Sequence, residues 1–274
     1  MIRAIRAALL GLVLSIATVA AADPVAFVCD VKGDVILNEG GRPPFLAELI
    51  PGTRLRLAAG AQAAVMYVVS GEEYSLKGPG DYVLGKSAVT AVSGPAPAKR
   101  KLVAHADAAV LVQASKAGTA SLRMRSAAAP KPDAAGPVYP TGPIAQVQPV
   151  LRWGGDPAAT VDVVVTAASG KQVHAGTAKG NTLKLPGKLV PGQAYSWSVA
   201  PKGGSPSDAR FEVLGADAVA TAEKARAAAR TFNDRVHLAL ILQGLGAPQD
   251  AREVWGQLAA ERPDLPELAG LARP

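Results

Sequence analysis

Between residues 31 and 84 apolar and polar positions alternate in short runs, each cut by glycine or proline. The runs include Val31-Lys32-Gly33-Asp34-Val35, then Leu49-Ile50-Pro51-Gly52-Thr53-Arg54-Leu55, then Ala61-Gln62-Ala63-Ala64-Val65-Met66-Tyr67. Tyr74-Ser75-Leu76 and Gly78-Pro79-Gly80-Asp81-Tyr82 follow, after a turn at Ser70-Gly71. Every second side chain of a strand shares a face. Leu55/Leu57, Ala61/Ala63/Val65/Tyr67, Tyr74/Leu76 and Tyr82/Leu84 are therefore predicted to point into one core. The glycines and prolines between them supply the turns.

The same period of two returns in residues 138–214. Val161/Val163/Val165 alternate on one face, Gly170 turns the chain, and Tyr195/Trp197/Val199 oppose Ser196/Ser198. Past Leu214 the period becomes 3.6, with Ala218, Ala222, Ala225 and Ala229 on one helical face. Thr231 with Asp234 reads as an N-terminal cap for a second helix holding Val236, Leu240 and Ile241, which Gly244 and Gly246 end. Pro248 suits a first helical turn, and Ala251, Val254, Trp255 and Leu258 form the next apolar stripe before Pro263. Residues 126–136 carry alanine, proline and charge without a large apolar side chain, the composition of a linker. Residues 109–112 and 120–125 are predicted as two further strands covering the edge of the first sheet, and residues 93–101 as the punctuation that ends the first β run.

In order, V-x-G-x-V, L-x-x-G-x-x-L, a small-residue strand, the Ser-Gly turn and the Gly-Pro-Gly close resemble the FecR-type periplasmic domain, over residues 24–84. That resemblance implies an all-β extracytoplasmic module. Iron-sensing members place an anti-sigma segment and a membrane helix ahead of it. Here an export signal stands there, so the cytoplasmic relay is not expected to carry over. Pro149-x-Leu151-x-Trp153, the run L-x-P-G-x-x-Y-x-W-x-V from Leu189 to Val199, and Phe211-x-Val213 resemble a fibronectin type III or related immunoglobulin-like sandwich. The helical tail, with Gly244, Ala251 and Pro263, resembles one tetratricopeptide-like unit. A single unit cannot bury its own face, so it must dock on the sandwich, on a second protomer or on a partner. The expected fold is mainly β: a signal peptide (1–22), a FecR-like all-β domain (23–125), a linker (126–137), an immunoglobulin-like β-sandwich (138–214) and a short all-α segment (215–274).

Composition adds compartment. Arg3 and Arg6, an apolar run over residues 7–19, and Ala20-Ala21-Ala22 before Asp23 have the three parts of a secretory signal. The run is short of the roughly 20 residues that span a bilayer, which disfavours an uncleaved anchor. The expected product is periplasmic and not an integral membrane protein. Cys29, the single cysteine, is either a small buried hydrophobe or the half of an intermolecular disulfide. Net charge is +7, and loss of Arg3 and Arg6 with the signal leaves +5. The excess gathers at Lys99, Arg100, Lys101, Lys116, Arg123, Arg125 and Lys131, a stretch without aromatic residues, which speaks against nucleic acid. A solvated linker or a contact for an anionic envelope polymer remain the two readings.

Reaction chemistry is missing from the pattern. His105, His174 and His237 lie in separate segments, and there is no C-x-x-C, H-x-x-x-H or G-x-S-x-G. Lys202-Gly203-Gly204-Ser205 puts its lysine on the wrong side of the glycines for a phosphate loop. Glu72-Glu73, in a predicted turn, is expected to stay solvated. Trp153 and Trp197 read as core mass, with a sugar-stacking platform as the alternative. The expectation is a non-enzymatic interaction or scaffold protein without cofactor or metal, binding a protein or an anionic envelope polymer. A sensor module acting on a membrane signalling partner and an enzyme without recognisable motif are the alternatives. Trp255, with Val254 and Leu258, is the candidate partner contact, set against a role in the core. Amino-terminal sequencing of the exported protein should begin at Asp23-Pro24, and recovery of the intact chain in membranes would reverse the assignment.

Overall fold

A computed structural model describes residues 23–38, 40–102 and 136–273. Residues 1–22 with the expected signal, both candidate strands at 109–112 and 120–125, His105 and residues 126–135 of the expected linker lie outside the described residues.

The first β run folds as two facing antiparallel sheets. One, in the order β3-β1-β5-β6-β9, holds β1 (Ala26–Lys32), β3 (Glu48–Leu49), β5 (Gln62–Tyr67), β6 (Glu72–Lys77) and β9 (Ala98–Lys101). The other, β2-β4-β7-β8, holds β2 (Val35–Leu37), β4 (Arg54–Leu57), β7 (Gly80–Leu84) and β8 (Val89–Ser93). All ten residues predicted to point inward lie buried between them. The Gly-Pro-Gly close has a steric reason. A Cβ on Gly78 would lie 1.9 Å from the Ala58 carbonyl oxygen, so the chain crosses there only without a side chain.

β9 is a correction. Residues 98–101 do not merely punctuate; they pair with β6 in the register Glu73↔Arg100 and Glu72↔Lys101. Cross-strand opposite charges stabilise this pairing where a proline-rich approach gives little propensity. Glu72 and Glu73 are likewise strand residues, on opposite faces. Glu73 is 3% exposed, not solvated in a turn.

A second sandwich sets β10 (Pro137–Tyr139), β12 (Val150–Trp153) and β15 (Thr182–Lys184) against a five-stranded sheet. That sheet has the order β11-β17-β16-β13-β14, with β11 (Pro143–Ile144), β13 (Thr160–Ala167), β14 (Gln172–Lys179), β16 (Ala194–Pro201) and β17 (Ser207–Val213). Trp153 and Trp197 meet edge to face at 6.5 Å in its core, and the Trp197 indole N–H donates to the Pro140 carbonyl at 2.8 Å. They are core mass and offer no stacking platform. The Tyr195 hydroxyl accepts from the Val190 backbone N–H at 2.8 Å, tying the strand to the loop before it, a recurrent sandwich corner.

Four helices follow: α1 (Ala216–Ala228), α2 (Phe232–Gly244), α3 (Pro248–Glu261) and α4 (Pro266–Leu271). Thr231 and Asp234 cap α2 reciprocally, and Pro248 and Pro266 open α3 and α4. α1 buries Val219, Ala222 and Ala225, so its stripe includes a valine beside the alanines. These helices do not rest chiefly on the neighbouring second sandwich. They cover the outer face of the first sandwich's five-stranded sheet, where Phe27, Cys29, Ala64, Met66 and Val68 join Phe45 and Leu46 in one core with α2, α3 and α4. Strands β1 and β5 are thereby buried on both faces. Cys29 is a free thiol at 1% exposure on this covered face. Burial, reinforced by the charges of Glu73 and Asp30, pushes its thiol up.

Trp255 sits at the centre of that core, fully buried and edge-on to Phe45 at 6.1 Å. Truncation to alanine should therefore cost about 3–5 kcal/mol in denaturant unfolding, as for large buried aromatics. An unchanged midpoint would remove Trp255 from the core.

Candidate functional site

Trp255 and Leu258 are fully buried, and Val254 is 8% exposed. The expected partner contact is thus corrected. The surface that Trp255 and Leu258 meet is the chain's own first sandwich, whose outer sheet face needs cover as much as the helices do. Of the three, Val254 alone reaches a concave surface. It lines a cleft of about 550 Å³ between the helical layer and the second sandwich, with Tyr139, Val150 and Arg152 on one wall and Arg226, Leu238 and Glu253 on the other.

The cleft's polar floor is one carboxylate. Asp250, 1% exposed in the first turn of α3, accepts from the Tyr139 hydroxyl (2.7 Å), the Ala145 backbone N–H (2.9 Å) and the Arg226 guanidinium (2.7 Å). Arg226 also donates to the Ala145 carbonyl at 2.7 Å, and the Gln146 amide donates to the Tyr139 hydroxyl at 2.9 Å. Beside this knot Arg152 grips Glu253 with two parallel hydrogen bonds, its guanidinium 4.8 Å from the centre of the Tyr139 ring. Burial pushes the Tyr139 hydroxyl far up, and the Asp250 charge adds to the effect. Glu253 holds the Arg152 guanidinium more firmly protonated.

A second seam ties the helices to the first sandwich. Arg100 on β9 donates to both oxygens of Glu73 (3.1 and 2.6 Å) and to Asp234 at 2.7 Å. Arg262, just past α3, donates to Asp30 on β1 at 2.5 Å and to both oxygens of Asp264. Partial burial opposes ionisation of Asp234, yet the Thr231 backbone and Arg100 outweigh it and hold the carboxyl below its ordinary value. The Arg262 guanidinium brings Asp264 down to about 2. Lys99 bridges to Glu72 at 3.0 Å, so Lys99 and Arg100 from the basic cluster already have anionic partners within the chain. Lys116, Arg123, Arg125 and Lys131 lie outside the described residues.

The arrangement pairs acids with bases. Each of these buried carboxylates faces a guanidinium across an element boundary. Among the described residues no group of three or more His, Cys, Asp or Glu side chains could hold a metal ion, and no helix is long and apolar enough to cross a membrane. Sequence reasoning missed Tyr139, Arg152, Arg226, Asp250 and Glu253. Asp250 looked like an ordinary acid of a first helical turn, and its partners Ala145 and Tyr139 lie 105 and 111 positions away.

Asp250→Ala should cost about 3 kcal/mol or more, because it strands a desolvated guanidinium, hydroxyl and N–H together. Arg56→Ala, which breaks the exposed pair with Asp81, should cost less than about 1 kcal/mol. Equal losses would mean that the knot is no more than surface decoration. Alkaline stability gives a separate measure. Burial, and then Tyr74, raises Tyr67 to about 12, and Tyr139 is raised as well. Since the folded values lie above the unfolded value of about 10, this stability is complete below that pH and is lost as pH rises through about 12. Unfolding should coincide with late tyrosinate absorbance; ionisation of all five tyrosines near pH 10 in an intact fold would contradict it.

No family model matches the chain, and no curated protein matches it. Among solved structures the chain shows similarity to CopC from Methylosinus trichosporium OB3b, 23% identical, covering 30% of this chain and 96% of that one, with a TM-score of 0.22. A score of that size supports no inference about fold or function.

Proposed function

We propose that the chain is a periplasmic, non-catalytic scaffold: a FecR-type domain and a fibronectin III or immunoglobulin-like domain, held in one arrangement by a tetratricopeptide-like helical segment and read together by a protein partner. The observation that carries this reading is where the buried charge is used. Glu73 and Asp250, the two carboxylates with 3% and 1% exposure, both serve to join separate elements, the first to β9 and the helices, the second to the second sandwich. A chain that fixes the relative orientation of two modules at the cost of desolvating carboxylates benefits from it when one ligand touches both. The cleft at the Asp250 knot has that character, because one wall comes from the helical segment and the other from the second sandwich, and it exists only when they are docked.

Of the two partner classes expected, a protein is favoured over an anionic polymer. Arg152, Arg226 and Arg235, the cleft's guanidinium groups, are each paired with a carboxylate of the chain, so no excess of unpaired positive charge awaits a polyanion there. The FecR-type resemblance and the signal-like residues 1–22 support a periplasmic setting.

Photo-crosslinkers placed at exposed Gln257 and at Val150, on opposite walls of the cleft, test the proposal in intact cells. Both should yield the same discrete protein adduct, and Asp250→Ala should reduce it from both positions. Adducts that differ between the two walls, or that ignore Asp250→Ala, would overturn joint reading of the helical segment and the second sandwich, and with it the scaffold proposal.

A further inference from the structure

Among the described residues every sheet ends in an edge strand, and seven of the eight edges are blunted by shortness. The edge strands β2, β3, β8, β9, β10, β11 and β15 run from two to five residues, and β9 places three basic side chains in four positions. β14 is the exception. It spans eight residues, has no proline, carries charge only at Lys179 and, beside it, Lys171, and is exposed or half-buried throughout. Such an edge is a template for another strand unless something covers it.

The hydrogen-bond parity of its neighbour says which atoms are open. On β13 the Ala167 N–H donates to the Lys171 carbonyl, while the Ala168 N–H belongs to the other side, donating to Ala194 on the β16 flank. Odd-numbered residues of β13 therefore face β14, and Val161, Val163 and Val165 pair with Ala178, Gly176 and His174. The N–H and C=O groups of those three point inward to the ladder. Those of Ala175, Thr177 and Lys179 point away from it, to the edge that is unpaired among the described residues. Gly176 adds a second sign. A Cβ there would meet only the His174 ring, at 3.5 Å, so crowding within the fold does not demand glycine. Glycine inside a strand often marks the close approach of another backbone.

We propose that β14 is a docking edge for an extended acidic peptide segment of another protein, which adds a sixth strand to the five-stranded sheet of the second sandwich. Backbone pairing to Ala175, Thr177 and Lys179 supplies the attachment. Charge selects the occupant. Lys171 and Lys179 bracket the strand about 26 Å apart, Lys188 lines a dimple of about 40 Å³ beside Val173, and the strand itself has no acidic side chain. A segment with carboxylates near both ends and small β-branched residues between them complements that pattern. A second copy does not, because it brings together two chains of like net charge, +7 each with residues 1–22 and +5 each after loss of Arg3 and Arg6. The proposal rests on the chain being an interaction protein, but it concerns a surface away from the cleft.

The test uses the full chain and a capped eight-residue peptide alternating valine and threonine, with glutamate at each end, against a lysine-ended counterpart. The acidic peptide should bind about tenfold more tightly and slow hydrogen exchange at the Ala175, Thr177 and Lys179 amides of the unaltered chain. Thr177→Pro deletes one outward donor without touching the ladder to β13, and should weaken binding by about tenfold while leaving the melting temperature near that of the parent. Equal binding by both peptides, protection elsewhere, or indifference to Thr177→Pro would overturn the proposal. Sedimentation showing a dimer that Thr177→Pro dissolves would give the edge to a second copy instead. Loss of the cleft adducts with retained amide protection would sink the scaffold reading alone.

Discussion

The structure depends on two neighbouring strands that have no free face. β1 and β5 turn Val28, Val65 and Tyr67 toward their own sandwich and Phe27, Ala64 and Met66 the other way, and both sets are buried. Left in water, each large side chain of the second set would forfeit about 1.5–3 kcal/mol. The helices have the complementary problem, since α1 to α4 are too few and too rich in alanine to enclose a core of their own. Each surface is the cover the other lacks. Trp255 against Phe45 is the point where the two needs meet.

Apolar contact alone does not fix how the layers sit. Small side chains such as Ala64, Ala222, Ala239 and Ala251 make smooth surfaces that can slide over one another. The charged seams are directional where the apolar core is not. Arg100 must reach Glu73 and Asp234 at once, and Asp250 must receive three donors from three segments. Such knots add little net stability over an apolar replacement, but a half-broken one leaves a desolvated charge, so slipped arrangements are disfavoured steeply.

Much of this was legible in the chain, and what was missed shares a cause. Strand alternation identified the inward set of the first sandwich because those side chains are large and the polar positions between them are clear, as at Leu55-Arg56-Leu57. Thr231 and Asp234 showed a helix start because capping is local. The second face of β5 was hidden, although the unbroken run from Ala63 to Val68 is what a strand buried on both sides looks like. Trp255 could be recognised as needing cover, but not what would cover it. Glu73 and Asp250 were beyond reach, since nothing near either residue distinguishes a carboxylate that will be buried against an arginine from one that stays in water. Their partners are chosen by the tertiary fold alone.

The bond from Arg262 to Asp30 spans 232 positions. Its length has a consequence in time. Strand β1 is among the first segments of the domain to be made, yet its outer face receives its cover from α2 and α3, which come after both sandwiches. Until then the first sandwich carries an uncovered apolar wall of Phe27, Met66 and Val68, and loop closure over so long a chain is slow. The first module must wait for the last, and during that interval its half-finished sheet is the part of the chain most exposed to wrong company.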